Sequence, residues 1–299
     1  QVRAMMWDLI NISKSESVPA DPVVMELTVI TDRFRDGMAA RLQQVPVIAG
    51  VPAIVAGAMT PPGADPGTLW LVALYLAGIL LIGWIAQFLF KKFSRRISES
   101  LSAAGDKNFP TRMARRIALL VYDFFPPAIF TVAAYIVFLL AYRGHEPNRL
   151  LMMGLLAGIL VAWLLSQLVK FVFSPDRPDC RLTPLNDADS QLVSSRVSWI
   201  FIGGSALYFF QAYLGAVASP FDRAVLVGSI NLVGGLTLMG LVIVVVWMVR
   251  KPVGALLLSG NPPGLARRAF AGIWSVVGTV VVVLLTLIGL FAAVGLGHQ

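Results

Sequence analysis

The chain of 299 residues is 57% hydrophobic and 13% charged, with a mean hydropathy of +0.78. That balance excludes a soluble domain of this length, which could not withdraw so much apolar surface from water, and points to lipid as the solvent. The net charge of +8 is explained by basic residues beside membrane spans, and the small polar surface argues against a nucleic-acid partner.

The sequence starts at Gln1 with no initiator Met, basic n-region or apolar h-region, which reads as a processed or excised stretch of a longer protein. Asp21 and Pro22 then supply an N-cap and a first helical residue. Val23, Leu27, Ile30, Phe34, Met38 and Leu42 recur at three- and four-residue spacing, predicting an amphipathic helix outside the membrane. The apolar run 45–59 is interrupted by Pro46 and Pro52 and is short for a span, so it is read as re-entrant or interfacial. Residues 1–66 thus form an N-terminal extramembrane region, and 67–299 a transmembrane domain.

Six long apolar runs follow, at 69–90, 117–142, 150–173, 197–218, 225–249 and 269–294. Each exceeds the roughly 20 residues that a helix needs to cross a bilayer core. The expected fold is all-α and polytopic, with about six transmembrane helices. After the first run, Lys91, Lys92, Arg95 and Arg96 crowd the start of a stretch in which Phe93, Ile97 and Leu101 recur every four residues. This predicts an amphipathic helix at the inner leaflet, where the four cations serve either anionic lipid or topology alone.

The second run carries Asp123, the one acid inside a span, close behind Arg115 and Arg116, and is expected to bend at Pro126 and Pro127. In the third, Gly154 and Gly158 form a GxxxG, while Gly203-Gly204 and Gly234-Gly235 thin the fourth and fifth for close packing. Lys170 can extend its ammonium to the headgroups, and Gln87, Gln167, Gln211 and Asn231 can hydrogen-bond between helices.

The distribution of charge predicts orientation, because Lys and Arg flanking spans favour the cytoplasm. The first, third and fifth connections carry sixteen such residues, against Arg143, Arg149 and Arg223 in the second and fourth. The odd connections are therefore expected inside and both ends of the chain outside. The outer links are short, which predicts hairpins of the second span with the third and of the fourth with the fifth.

Nothing in the sequence supplies enzymatic chemistry: HExxH, GxxxxGK[ST] and GxSxG are all absent. Cys180 is the single cysteine, and His145 and His298 have no ligand spacing, so no catalytic residue, metal or cofactor is expected. Asp176 and Asp179 flank Arg177, so mutual neutralisation is expected, with a metal-binding pair as the alternative reading.

The stretch Phe173-Ser-Pro-Asp-Arg-Pro-Asp-Cys-Arg-Leu-Thr-Pro-Leu-Asn-Asp-Ala-Asp189 leads into a helix for which Asn186 is a plausible N-cap. It resembles the corresponding segment of long members of the bacterial small-conductance mechanosensitive channel superfamily. Trp7-Asp8-Leu9-Ile10-Asn11 and Thr31-Asp32-Arg33-Phe34-Arg35-Asp36 are similar to the same proteins. The resemblance implies a homo-oligomeric, heptameric channel of the inner membrane that opens under tension and protects against hypo-osmotic shock. The helices here would be its peripheral paddles, with the pore module beyond this chain. Membrane lipids would be the partners, at Lys91, Lys92, Arg95 and Arg96 and again at Arg177 and Arg181, with no small-molecule substrate. Two other readings stay open: a secondary transporter domain, for which Asp123 would be the coupling charge, and a non-conducting membrane scaffold.

Overall fold

The computed structural model describes residues 22–60, 63, 68–103, 109–142, 144–175, 181, 183–259 and 264–295. The Trp7 to Asn11 similarity, the expected cap Asp21 and the loop residues Asp176, Arg177 and Asp179 lie outside them. All regular structure among the described residues is helical. In chain order the elements are α1 (Pro22–Gln44), a 3-10 helix (Val45–Gly50), α2 (Val51–Met59), α3 (Thr68–Ala103) and α4 (Phe109–Ala141). They continue with α5 (Glu146–Phe173), α6 (Asp187–Val217), α7 (Pro220–Met248), α8 (Arg250–Leu258) and α9 (Leu265–Gly295). Seven described helical stretches are long and apolar enough to cross a membrane, six matching the expected runs and the seventh being Thr28–Met59.

That extra stretch is continuous because its prolines fall where helices tolerate them. Pro46 lies in the first turn of the 3-10 helix and Pro52 in the first turn of α2, positions whose N–H has no intrahelical acceptor in any case. Its second half packs against the short-link end of α6 and α7. Ile48, Val51, Ile54 and Val55 pack with Tyr213, Leu214, Ala218, Leu226 and Ile230 of α6, α7 and their link. At its far end, His145 Nε2 lies 3.1 Å from the Ala58 carbonyl oxygen, and Asn148 Nδ2 donates to that of Met59 at 2.9 Å. α1 runs alongside α7, and Phe34 stacks on Phe291 of α9 with ring centroids 3.7 Å apart.

The main helices pack in the order α3, α4, α5, α6, α7, α9, each mainly on its neighbours in that order. The result is a row of helices rather than a closed bundle, and only 6–28% of each candidate span is buried within the chain. The short-link pairs α4–α5 and α6–α7 do pack as expected, yet the most extensive contacts are α5 on α6 and α3 on α4, across the long connections. Glycines stand at both of these contacts. A Cβ on Gly83 of α3 would stand 2.9 Å from the Phe130 carbonyl oxygen of α4, and one on Gly158 would meet the Phe209 ring at 3.2 Å. Missing side chains set how closely two helices approach; link length sets only which ones can meet.

One element departs from the sequence reading. Lys91 to Leu101 is not a separate surface helix but the direct continuation of the first span in α3. No Gly or Pro stands between Phe90 and Ala103 to stop propagation, so the helix extends about 20 Å past the apolar run. Its partner α4 starts early as well, at Phe109. The two are joined there by Ser94, whose hydroxyl lies 2.7 Å from that of Tyr122 and donates to the Phe90 carbonyl at 2.6 Å.

α6 likewise begins ten residues before its apolar run. Asn186 is extended and its side chain accepts from the Asp189 N–H at 2.7 Å, so the expected cap forms, and Asp187 and Asp189 add negative charge at the positive helix end.

Candidate functional site

The end of the row that carries the long connections gathers the basic residues into two different arrangements. In the first, Lys91 of α3, Arg116 and Asp123 of α4, and Gln167 and Lys170 of α5 line one cavity of about 200 Å³, floored by Leu119, Pro126 and Trp163. The four-residue cluster expected around Lys91 is therefore divided. Lys91 turns to the cavity, while Lys92, Arg95 and Arg96 are exposed and Arg95 pairs with Glu99 at 2.6 Å. Asp123 lies among cations in this cavity, close to the midpoint of α4.

In the second arrangement Arg181, expected at lipid headgroups, is turned inward. Its Nε donates to the Phe173 carbonyl at 3.2 Å, Nη1 to the Leu185 carbonyl, and Nη2 to Asp187 at 2.6 Å, with the side chain 7% exposed. Ser190 of α6 donates to the same Phe173 carbonyl. The fork of donors ties the end of α5 to the start of α6, as a planar guanidinium suits three separate acceptors. Arg116 Nη2 donates to the backbone carbonyl of Arg181, so this tie also fixes the wall of the cavity. Arg181 is thus a structural residue with its donors satisfied by protein.

A second cavity of about 640 Å³ opens between α5 and α6. Gly154 and Gly158 line one side and Ala206, Leu207 and Phe210 the other, so the GxxxG both brings the helices together and leaves a groove beside the contact. The groove is apolar except near the short-link end. There the buried Tyr213 hydroxyl has no hydrogen-bond partner among the described residues.

Pro126 and Pro127 are buried inside an unbroken α4, where they carry no N–H for the carbonyls four residues earlier, and Thr131 Oγ1 bonds back to the Pro127 carbonyl at 2.9 Å. The paired glycines are used unequally. A Cβ on Gly234 would collide with the Leu207 side chain, whereas one on Gly235 would meet nothing within 4 Å. Among the described residues, no group of three or more His, Cys, Asp or Glu is placed to hold a metal.

The fold and these sites define a multi-pass α-helical membrane protein. Comparison of the chain with family models, with curated proteins and with solved structures returned no match.

The sequence missed two features. Arg116 as a cavity wall, and the grouping of Lys91 with Lys170, depend on three helices meeting. A partial signal existed, since all three cations fall within about two turns of the basic ends of their spans.

Proposed function

We propose that these helices are the tension-sensing membrane portion of a homo-oligomeric ion channel, heptameric by the resemblance, that opens in a stretched bilayer and relieves hypo-osmotic shock. In this reading the basic end faces the cytoplasm across an inner membrane, as the positive-inside rule requires. The 45–59 segment lies at the opposite interface, beside the short links, and the pore module belongs to sequence outside this chain.

The observation that carries the reading is the thinly packed row with its groove between α5 and α6. A sensor of tension must change its in-plane area or exchange lipid, because tension does work only through those quantities. A row of helices exposed on both faces offers a large perimeter to lipid, and the groove offers a binding place for an acyl chain, with Tyr213 as a donor for the ester. A lipid held there in the closed state and lost under tension is a differential ligand, able to bias an equilibrium of a few kcal/mol. Asp123 lines its cavity with Lys91, Arg116 and Lys170, and a carboxylate among three cations is their counter-charge before it is a coupling charge for transport.

The test is patch clamp of giant spheroplasts expressing the full gene that encodes this chain, in a background lacking other tension-gated channels. Stepwise currents that appear only under suction support the proposal. Silence up to patch rupture, with the protein verified in the membrane, overturns it.

A further inference from the structure

We infer that the cavity between α3, α4 and α5 at the basic end is a binding site for a phosphate group, presented by an anionic phospholipid of the adjoining leaflet. This deepens the lipid-contact part of the proposed function and rests on it only in requiring that the chain be seated in a bilayer. Lys91, Arg116 and Lys170 come from three helices and converge on one space of about 200 Å³. Among the described lining residues one carboxylate, Asp123, offsets their mutual repulsion and leaves cations in excess. Charges held at the edge of a low-dielectric interior favour an anion there strongly.

The parts are arranged for a ligand that is charged at one end and apolar at the other. Arg116 is 6% exposed and is fixed through its bond to the Arg181 carbonyl, so one donor group is preorganised. Lys91 and Lys170 are exposed, on four-carbon stems long enough to reach an oxygen from either side, and the Gln167 amide adds a neutral donor. Beneath them Leu119, Pro126 and Trp163 form an apolar floor, which suits the glycerol and first methylenes of a lipid better than a fully hydrated inorganic ion. The exposed Lys92, Arg95 and Arg96 on the same helix do not line this cavity.

The experiment is native mass spectrometry of the full chain in detergent with equimolar short-chain phosphatidylglycerol and phosphatidylcholine. It compares the wild type, Lys91→Gln/Lys170→Gln and Lys92→Gln/Arg96→Gln, and repeats each with inorganic phosphate added. The wild type is expected to retain phosphatidylglycerol selectively. At about fivefold per basic residue, the cavity variant should lose about 25-fold in retention, and the surface variant little. Lys91→Arg/Lys170→Arg, which keeps the charge, should retain the lipid, so a folding defect in the Gln variant does not decide the matter. Equal loss in both Gln variants, or none in either, overturns the site. Displacement of the lipid by millimolar inorganic phosphate would overturn the lipid as the source of the phosphate. Retention is read without tension, so its failure is separate from silence in patch clamp.

Discussion

Arg116 donates to the backbone carbonyl of Arg181, 65 residues further along the chain, and Arg181 in turn donates to the carbonyl of Phe173 at 3.2 Å. Two arginines that a charge count assigns equally to topology thus hold α4, α5 and α6 together at the basic end. One of them also presents its guanidinium to a cavity; the other has its donors taken up by protein.

Replacing Arg181 with Ala should therefore lower stability by about 1.5–3 kcal/mol, the range for hydrogen bonds to charged groups, and Arg181→Lys should restore little because one ammonium cannot serve three separated acceptors. Ser190→Ala, which removes a single neutral bond to the Phe173 carbonyl, should cost about 1 kcal/mol. Thermal unfolding in detergent reads all three, and a neutral Arg181→Ala would remove the tie from the account.

Glycine substitutions should separate close contacts from open ones. Gly83→Ala puts a methyl 2.9 Å from a backbone oxygen that cannot swing away, so about 1–3 kcal/mol of destabilisation is expected. Gly234→Ala meets both methyls and the Cγ of Leu207 and should also destabilise, while Gly78→Ala and Gly235→Ala meet nothing within 4 Å and should be neutral or stabilising. The order of melting temperatures checks this.

The proposed interfacial placement of 45–59 can be tested by chemical labelling. In a background with Cys180→Ser, cysteines placed at Gln44 and Thr60 should both react with a membrane-impermeant reagent from the short-link side. Reaction from opposite sides would mean that the segment between them crosses.

Filling the groove between α5 and α6 should imitate permanent loss of its lipid. Ala206 is exposed and lines the groove, so Ala206→Trp adds bulk there without meeting the Gly158–Phe209 contact. If a groove lipid favours the closed state, this variant should open at lower tension in patch clamp. An unchanged threshold would argue against the groove as the sensor.

The sequence by itself determined the solvent, the helical class and six of the candidate spans, because length and hydropathy along one helix are local properties. It also determined the α6 cap at Asn186, where one side chain and an N–H three residues on suffice. It misjudged the stretch after Phe90, since a run of charges ends an apolar segment without ending a helix that lacks a breaker.

Only the tertiary structure decided which cations act together. Lys91, Arg116 and Lys170 are scattered through the sequence and meet where α3, α4 and α5 pack, the first two drawn together at Gly83. Arg181, in a loop that looks exposed, has a side chain only 7% exposed because it bonds to Phe173, Leu185 and Asp187, while its carbonyl accepts from Arg116. Helix periodicity fixes which face a residue occupies; the partner of that face is set by packing between segments that sequence spacing does not encode.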